Sequence, residues 1–268
     1  MTYKETKPSK HLQHIVRLFW MYEEKGRSSS FTSTYRIIAD GCPGLIIQYS
    51  DNGTVYYNQD GTPVSRSFLY GQTTKPVNNY STGAAYTFGV YFQPWAIPVI
   101  FGFGANELTN TQVDFSLINA SLCNRIIEAG SFSQRVQLIS EFIYRKINNN
   151  SCQHHPVHEV AKQILISGGA KNLHDLYSDS YITSRTLVRN FKKHVGITPK
   201  HFSKIVRFQS AKNLIQQRDA SSFTDIAINC GYADQSHFIR EFKELSGFTP
   251  VRFLSRCREK VRNYPQLI

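Results

Sequence analysis

Hydrophobic and polar positions follow two different periods along this chain, and the period changes near residue 94. Between 35 and 92, short apolar or aromatic runs (Tyr35–Ile38, Leu45–Tyr49, Val55–Tyr57, Ser67–Tyr70 and Tyr86–Phe92) are separated by Asp40-Gly41, Asp51-Asn52-Gly53, Asp60-Gly61 and Thr82-Gly83. Runs of this length between turn-forming residues predict strands, and several at this spacing predict a β-barrel or sandwich. Upstream, His11, Leu12, Ile15 and Val16 make a short amphipathic turn that leads into Leu18–Tyr22, a further expected strand.

Past Pro94 the apolar spacing becomes helical. A short helix is expected over Trp95–Phe101 and a stronger one over Ser131–Ile147, where Ser131 and Gln134 have capping-box spacing. Leu138, Ile139, Phe142, Ile143 and Ile147 form one stripe, suited to packing on the β domain or to a dimer seam. Asn148–Pro156 lacks periodicity and reads as a linker. Beyond it, Val157, Val160, Ala161, Ile164 and Leu165 trace a helix ended by Gly168-Gly169. Asn172 is a cap candidate, Thr183 or Ser184 opens the next long helix, and Pro199 suits the first position of a helix through Phe202, Ile205, Val206, Leu214 and Ile215. Thr224 is the expected cap of a helix through Cys230, Gly231 supplies a left-handed turn, and Asp234 caps the last clear helix.

This C-terminal pattern repeats. Leu187, Arg189, Phe191, Lys192, Gly196, Thr198 and Pro199 recur 51 residues later as Phe238, Arg240, Phe242, Lys243, Gly247, Thr249 and Pro250. Such a repeat predicts two copies of one small unit. Within each copy the large apolar residues four apart face a core, which leaves Ser184, Arg185, Val188 and Arg189 in the first, and Gln235, Ser236, His237 and Arg240 in the second, on other faces. Two short helices joined by a glycine-containing turn form a helix-turn-helix, whose second helix enters a major groove. Arginine and glutamine there suit guanine and adenine edges.

The run Cys230–Phe238, with Arg240, Phe242-Lys243, Gly247 and Thr249-Pro250, resembles the second helix-turn-helix of AraC/XylS-type transcription regulators, and the resemblance spans Val157–Phe253. It implies two helix-turn-helix units bridged by a long helix, with Arg185 and Arg189 at base- or backbone-contacting positions. With the free faces of both helices, the base-contact candidates are Ser184, Arg185, Val188, Arg189, Gln235, Ser236, His237 and Arg240, and the backbone candidates are Lys192, Lys204 and Lys243. Ile38–Pro43, Leu69–Thr73 and Gly89–Pro94 are similar to a sensor-like domain fused to such readers, although Ala39 stands where that pattern has proline. The fold expected is α+β: a β-rich, barrel-like domain with flanking helices over 1–150, and an all-α reader over 156–268. One asymmetry stands out. Ala227 and Gly231 of the second copy are matched in the first by Tyr177 and Tyr181. Either the first recognition helix sits differently and discriminates less, or both rings swing to the surface.

Charge sharpens this picture. Residues 1–155 hold 13 Lys and Arg against 10 Asp and Glu, whereas residues 156–268 hold 18 against 9. The basic excess lies on the segment expected to meet DNA, as phosphate neutralisation requires, although a solvated basic face has the same composition. The five cysteines are widely spaced without a C-x-x-C, consistent with reduced cytosolic thiols. The N-terminus lacks the apolar run of a signal peptide, and Pro94–Ala105 is too short to span a bilayer. These features point to a bacterial cytoplasmic protein, at the nucleoid when bound to DNA.

Tyrosines crowd the β region, and Tyr49, Tyr57, Tyr70 and Tyr91 are the effector-pocket candidates; the alternative is that the rings fill a β core. No histidine falls between Tyr35 and Phe92, which disfavours an imidazole-bound catalytic metal. His11 and His14, or Cys152, His154, His155 and His158 of the linker, are poor metal sets, and no metal, cofactor or catalytic residue is expected. The expected function is a sequence-specific transcription regulator with double-stranded promoter DNA as partner. A small-molecule effector, RNA polymerase and a second copy in a homodimer are further expected partners, and no membrane is. Two alternatives stay open: an N-terminal domain that serves only dimerisation or protein contact, and a barrel enzyme with a DNA-binding tail.

Overall fold

The computed structural model describes residues 2–24, 32–50, 56–82, 85–149, 155–178, 182–217 and 222–258. They form two compact units. The first takes Met1–Tyr35, Cys42–Gly71 and Asn78–Gln153. The second takes His154–Ile268 together with Arg36–Gly41 and Gln72–Val77.

Nine strands are present among the described residues: β1 (Thr2–Thr6), β2 (Val16–Glu24), β3 (Thr32–Ile37), β4 (Gly44–Tyr49), β5 (Tyr56–Tyr57), β6 (Ser67–Tyr70), β7 (Val77–Thr82), β8 (Ala85–Phe92) and β9 (Gln112–Asp114). Six of them make a sheet in the order β1-β2-β8-β4-β6-β9, and three more make a second in the order β3-β7-β5. The sequence pattern located β2, β4, β6 and β8 but not β1, β7 or β9. β1 is exposed throughout, β7 reads VNNYST and β9 is three residues long, so none carries an apolar alternation. Val55, expected to open β5, lies outside the described residues.

Side chains directly opposite one another across antiparallel strands share a face. Leu45, Ile47, Phe88 and Val90 are buried on one face of the larger sheet, where Phe88 meets Phe132 edge-on at 6.2 Å. Among the described residues three α-helices serve this unit: α1 (Ala96–Phe101), α2 (Ser116–Glu128) and α3 (Phe132–Asn149). α3 packs on α1 and α2, and α2 reaches β4 and β6. Ser131 Oγ accepts from Gln134 N at 3.2 Å, which satisfies an open amide at the start of α3. The pattern did not show α2. Its backbone leaves helical geometry at Asn119, whose side chain recaps the chain by accepting from Leu122 N at 3.0 Å, so no long apolar stripe forms. Arg135 of α3 is buried, and its Nε donates to Ile126 O at 3.0 Å, satisfying an open carbonyl near the end of α2.

The opposite face of the six-stranded sheet turns toward the smaller one. Tyr56 Oη and Thr87 Oγ1, 2.6 Å apart, bridge the two sheets, and Tyr56, Val64 and Phe68 form a buried cluster with Ile46 and Tyr70 against it. On this face Trp20 lies across from Gly89, where a Cβ would fall within the indole ring.

The second unit is helical: α4 (Pro156–Ile166), α5 (Leu173–Ser178), α6 (Ser184–Val195), α7 (Pro199–Gln217), α8 (Phe223–Asn229), α9 (Gln235–Ser246) and α10 (Pro250–Arg258). α7 is its axis and touches α4, α6, α8, α9 and α10. It is buried on several sides, with Phe202, Ile205, Phe208, Ala211 and Ile215 all enclosed. Residues 36–41 and 72–77 are built into the same unit. Arg36 Nη1 donates to Ser246 O at 3.1 Å, its guanidinium lies 4.0 Å from the centre of the Phe248 ring, and Gln209 Nε2 donates to Ala39 O.

The Trp20 and Gly89 contact yields a prediction. Gly89→Ala overpacks a filled interior and is expected to cost about 1–3 kcal/mol. Thermal and urea melts of the full chain check it, and an unchanged midpoint would show that the indole can move aside.

Candidate nucleic-acid interface and effector residues

The 51-residue repeat of the sequence is reproduced in three dimensions. α6 and α9 are both 12 residues long, and each ends at a left-handed glycine, Gly196 with φ 97° and Gly247 with φ 77°. Thr183 and Asp234 are their N-caps, accepting from Thr186 N at 3.3 Å and His237 N at 2.7 Å. Leu187 and Phe191 of α6, and Phe238 and Phe242 of α9, are fully enclosed. Phe191 packs on Phe202 of α7 with ring centres 5.8 Å apart, and Phe242 packs on Phe208 at 5.0 Å.

With those residues turned inward, the opposite faces are set. Ser184, Arg185, Arg189 and Lys192 of α6 are exposed, and Val188 is partly covered. Gln235, Ser236, Arg240 and Lys243 of α9 are exposed. Two of the expected DNA contacts are otherwise engaged. His237 Nε2 lies 3.1 Å from Glu241 Oε1, with its side chain 27% exposed. Lys204 Nζ lies 2.7 Å from Glu244 Oε2 and 4.0 Å from Glu241 Oε1. Both belong to the seam between α7 and α9, because positions four apart on α9 bring His237 and Glu241 onto one face.

In front of α9, Ser222 caps α8 in place of the expected Thr224, accepting from Asp225 N at 3.1 Å. Thr224 lies inside the first turn and its hydroxyl instead donates to Gln235 Oε1 at 3.3 Å. Gly231 adopts φ 73°, the left-handed turn its sequence position predicts. Burial pushes the Cys230 thiol up to about 11, so it stays protonated at neutral pH. In the first copy, Tyr181 and the side chain of Tyr177 lie outside the described residues.

A feature hidden from the sequence is an imidazole stack where α4 meets α6. His155, the N-cap of α4, faces His194 of α6 with ring centres 4.1 Å apart and planes at 27°, and His158 sits 5.5 Å from His194. Proximity in the chain groups His155 and His158 with Cys152 and His154, which lie outside the described residues; His194 is 36 positions from His158 and has no local signal. Among the described residues no group of three or more His, Cys, Asp or Glu is placed to hold a metal ion. Burial, and then the neighbouring His155 and Lys193 charges, hold His194 down at about 4.

The effector candidates separate into two groups. Tyr70 and Tyr91 both lie opposite Gly44, on the face turned to the smaller sheet, and Tyr91 packs near Trp20 with ring centres 5.8 Å apart. Thr87 and Asn79 share that interior, and Asn79 Oδ1 is buried without a hydrogen-bond partner among the described residues. Tyr49 is on the other face, stacked on Tyr86 at 4.9 Å and 5.3 Å from the Arg135 guanidinium. Tyr57 follows Tyr56 on a strand and therefore points away from the interior that Tyr56 enters. Strand parity removes Tyr49 and Tyr57 from a shared pocket.

Residues 178–256 match the family described as "Helix-turn-helix domain", and residues 4–114 match "Domain of unknown function (DUF6597)". The HTH-type transcriptional activator RhaS of Escherichia fergusonii is 38% identical over 69 residues, which cover 26% of this chain and 24% of that protein. The matched stretch thus spans about a quarter of the relative's own length. Among solved structures, a probable AraC family transcriptional regulator from Rhodopseudomonas palustris is 28% identical over 38% of this chain and 96% of its own, with a TM-score of 0.35. ToxT from Vibrio cholerae, in its complex with (E)-4-(8-methylnaphthalen-1-yl)but-3-enoic acid, is 11% identical over 86% of this chain and all of its own, with a TM-score of 0.47. The paired capped helices on a common axis define a double helix-turn-helix reader. The C-terminal region of this chain, over residues 178–256, is a helix-turn-helix domain.

The imidazole stack sets a pH dependence. His194 is held below its ordinary value of 6.5, to about 4, in the folded chain, so the unfolded chain binds its proton first. The stabilisation is complete above about pH 6.5 and is lost as pH falls toward 4. Urea midpoints should therefore drop between pH 7 and pH 4.5, and His194→Leu, which installs the residue found at the matching position Leu245, should flatten that drop. An unaltered slope in the variant would remove His194 as its source.

Proposed function

We propose that this chain is a sequence-specific transcription regulator that binds promoter DNA through α6 and α9. The observation that carries the reading is the pair of equal-length, capped helices 51 residues apart, each with an enclosed aromatic or leucine pair and an exposed arginine, Arg189 and Arg240. Two such helices on one axis suit successive major-groove segments about 34 Å apart. Arg185, Arg189, Gln235, Ser236 and Arg240 are the proposed base contacts, and Lys192 and Lys243 the proposed phosphate contacts. The functional division is drawn at 1–150 and 156–268. No catalytic step is assigned to either part. Among the described residues no helix is long and apolar enough to cross a membrane. RNA polymerase and a second copy of the chain belong to the same reading.

The first unit is proposed as an effector sensor. Support comes from the interior that holds Trp20, Tyr70 and Tyr91 beside the buried polar groups of Thr87 and Asn79, an arrangement of aromatic walls with few polar groups that suits a small ligand. Calorimetry of the full chain against a metabolite panel tests this, with Tyr91→Ala expected to abolish any heat seen.

Because residues 36–41 and 72–77 share the compact unit of the reader, DNA binding is tested on the full chain. Affinity for duplex DNA should fall steeply with salt, with a log–log slope of about −0.9 for each phosphate neutralised. A folded chain without salt-sensitive binding would sink the assignment. Arg240→Ala should weaken selected sites more than random duplex by about 1–3 kcal/mol, whereas Lys243→Ala should weaken both alike. Equal losses for Arg240→Ala would make it a backbone contact.

A further inference from the structure

The seam between α7 and α9 is charged where the inner faces of both helices are apolar. Glu241 is its centre. One carboxylate oxygen, Oε2, accepts from Arg207 Nη2 of α7 at 3.3 Å, and the other, Oε1, lies 3.1 Å from His237 Nε2 and 4.0 Å from Lys204 Nζ. The Glu241 side chain is only 12% exposed and that of Arg207 only 18%. The Arg207 guanidinium also lies 4.9 Å from the ring centre of Tyr232, which is buried in the turn ahead of α9 and packs edge-on to His237 at 5.5 Å. Lys204 adds a second tie one turn away, to Glu244.

This constellation has a direction. His237, Glu241 and Glu244 run down one flank of α9, while Gln235, Ser236, Arg240 and Lys243 remain exposed. A carboxylate shielded from water, bonded to a guanidinium through one oxygen and flanked by an imidazole at the other, has little freedom, so the rotation of α9 about its own axis is restrained on that flank. The first copy lacks the arrangement. Asn190 stands where Glu241 does, Thr186 where His237 does, and Lys193 where Glu244 does.

We propose that Glu241 is a positioning residue for base recognition. By tying α9 to Arg207 and holding His237 in the seam, it sets the rotation at which Arg240 and Gln235 meet base edges, and so gives the second reader a discrimination that the first does not share. This rests on the DNA-binding reading above. It also moves His237 from base contact to brace.

The test begins with duplexes selected by the wild-type full chain from a randomised double-stranded library. Failure of the wild type to select any sequence overturns the DNA-binding reading itself, an outcome distinct from failure of the Glu241 brace. With selected duplexes in hand, Glu241→Gln is compared with wild type on those and on random DNA. The ratio of the two affinities should fall by about tenfold, within the range of one lost bidentate base contact. The lost base preference should be confined to one end of the selected sequence. Random-DNA affinity should hold or rise, because a negative charge has been removed from the DNA-facing unit. Arg207→Lys keeps the charge but loses the fork, and should show the same one-ended loss even if Glu241→Gln fails to fold; combined with Glu241→Gln in a variant that folds, it should add little. Equal losses on selected and random duplexes, losses at both ends, or an unchanged ratio would each overturn the proposal.

Discussion

The reader depends on aromatic packing against one helix. Phe191 and Phe202, then Phe208 and Phe242, lock α6 and α9 to opposite stretches of α7, and Phe238 extends the cluster toward Tyr232. Each ring removes on the order of 150–250 Å² from water, so neither helix can roll without exposing large apolar area. The exposed faces follow as a consequence. Arg189 and Arg240 are outward because Leu187, Phe191, Phe238 and Phe242 are inward, and the same 51-residue spacing governs both.

Equal helices are nevertheless held by unequal means. Where α4 meets α6 the polar contact is a stack of histidines, with His194 kept neutral by burial. Where α7 meets α9 it is a carboxylate shared between a guanidinium and an imidazole. Neutral stacked rings offer packing with little directional restraint, whereas a carboxylate hydrogen-bonded to a guanidinium fixes orientation as well as distance. A duplicated unit can therefore keep its apolar core and change its polar brace, and with it the rigidity of the surface it presents.

In the β unit the organising constraint is strand parity. Gly44 leaves room between Tyr70 and Tyr91, and Gly89 leaves room for Trp20, so large rings crowd the interior at the points where a Cβ is missing. Buried polar groups share this interior, with Tyr56 and Thr87 bonded to each other across the sheets. The other face belongs to the helices, and there Tyr49, Tyr86 and Arg135 pack together as part of the structure.

The sequence by itself determined the α+β division, the double helix-turn-helix, the inward phenylalanines, the exposed arginines and the glycine turns, because each depends on residues at most a few turns apart. It also located β2, β4, β6 and β8, whose apolar runs lie between turn residues. It could not show β1, β7 or β9, which lack that contrast, or α2, which is interrupted at Asn119. Ser222 displaced Thr224 as a cap by a shift of two residues, a matter of local geometry that composition leaves open. The pairing of Glu241 with Arg207, the meeting of His155 with His194, and the parting of Tyr49 and Tyr57 from Tyr70 and Tyr91 were decided only by tertiary structure. In each case the deciding quantity is which side chains share a face across separate elements, and that is set by how helices and strands pack, not by their own periodicity.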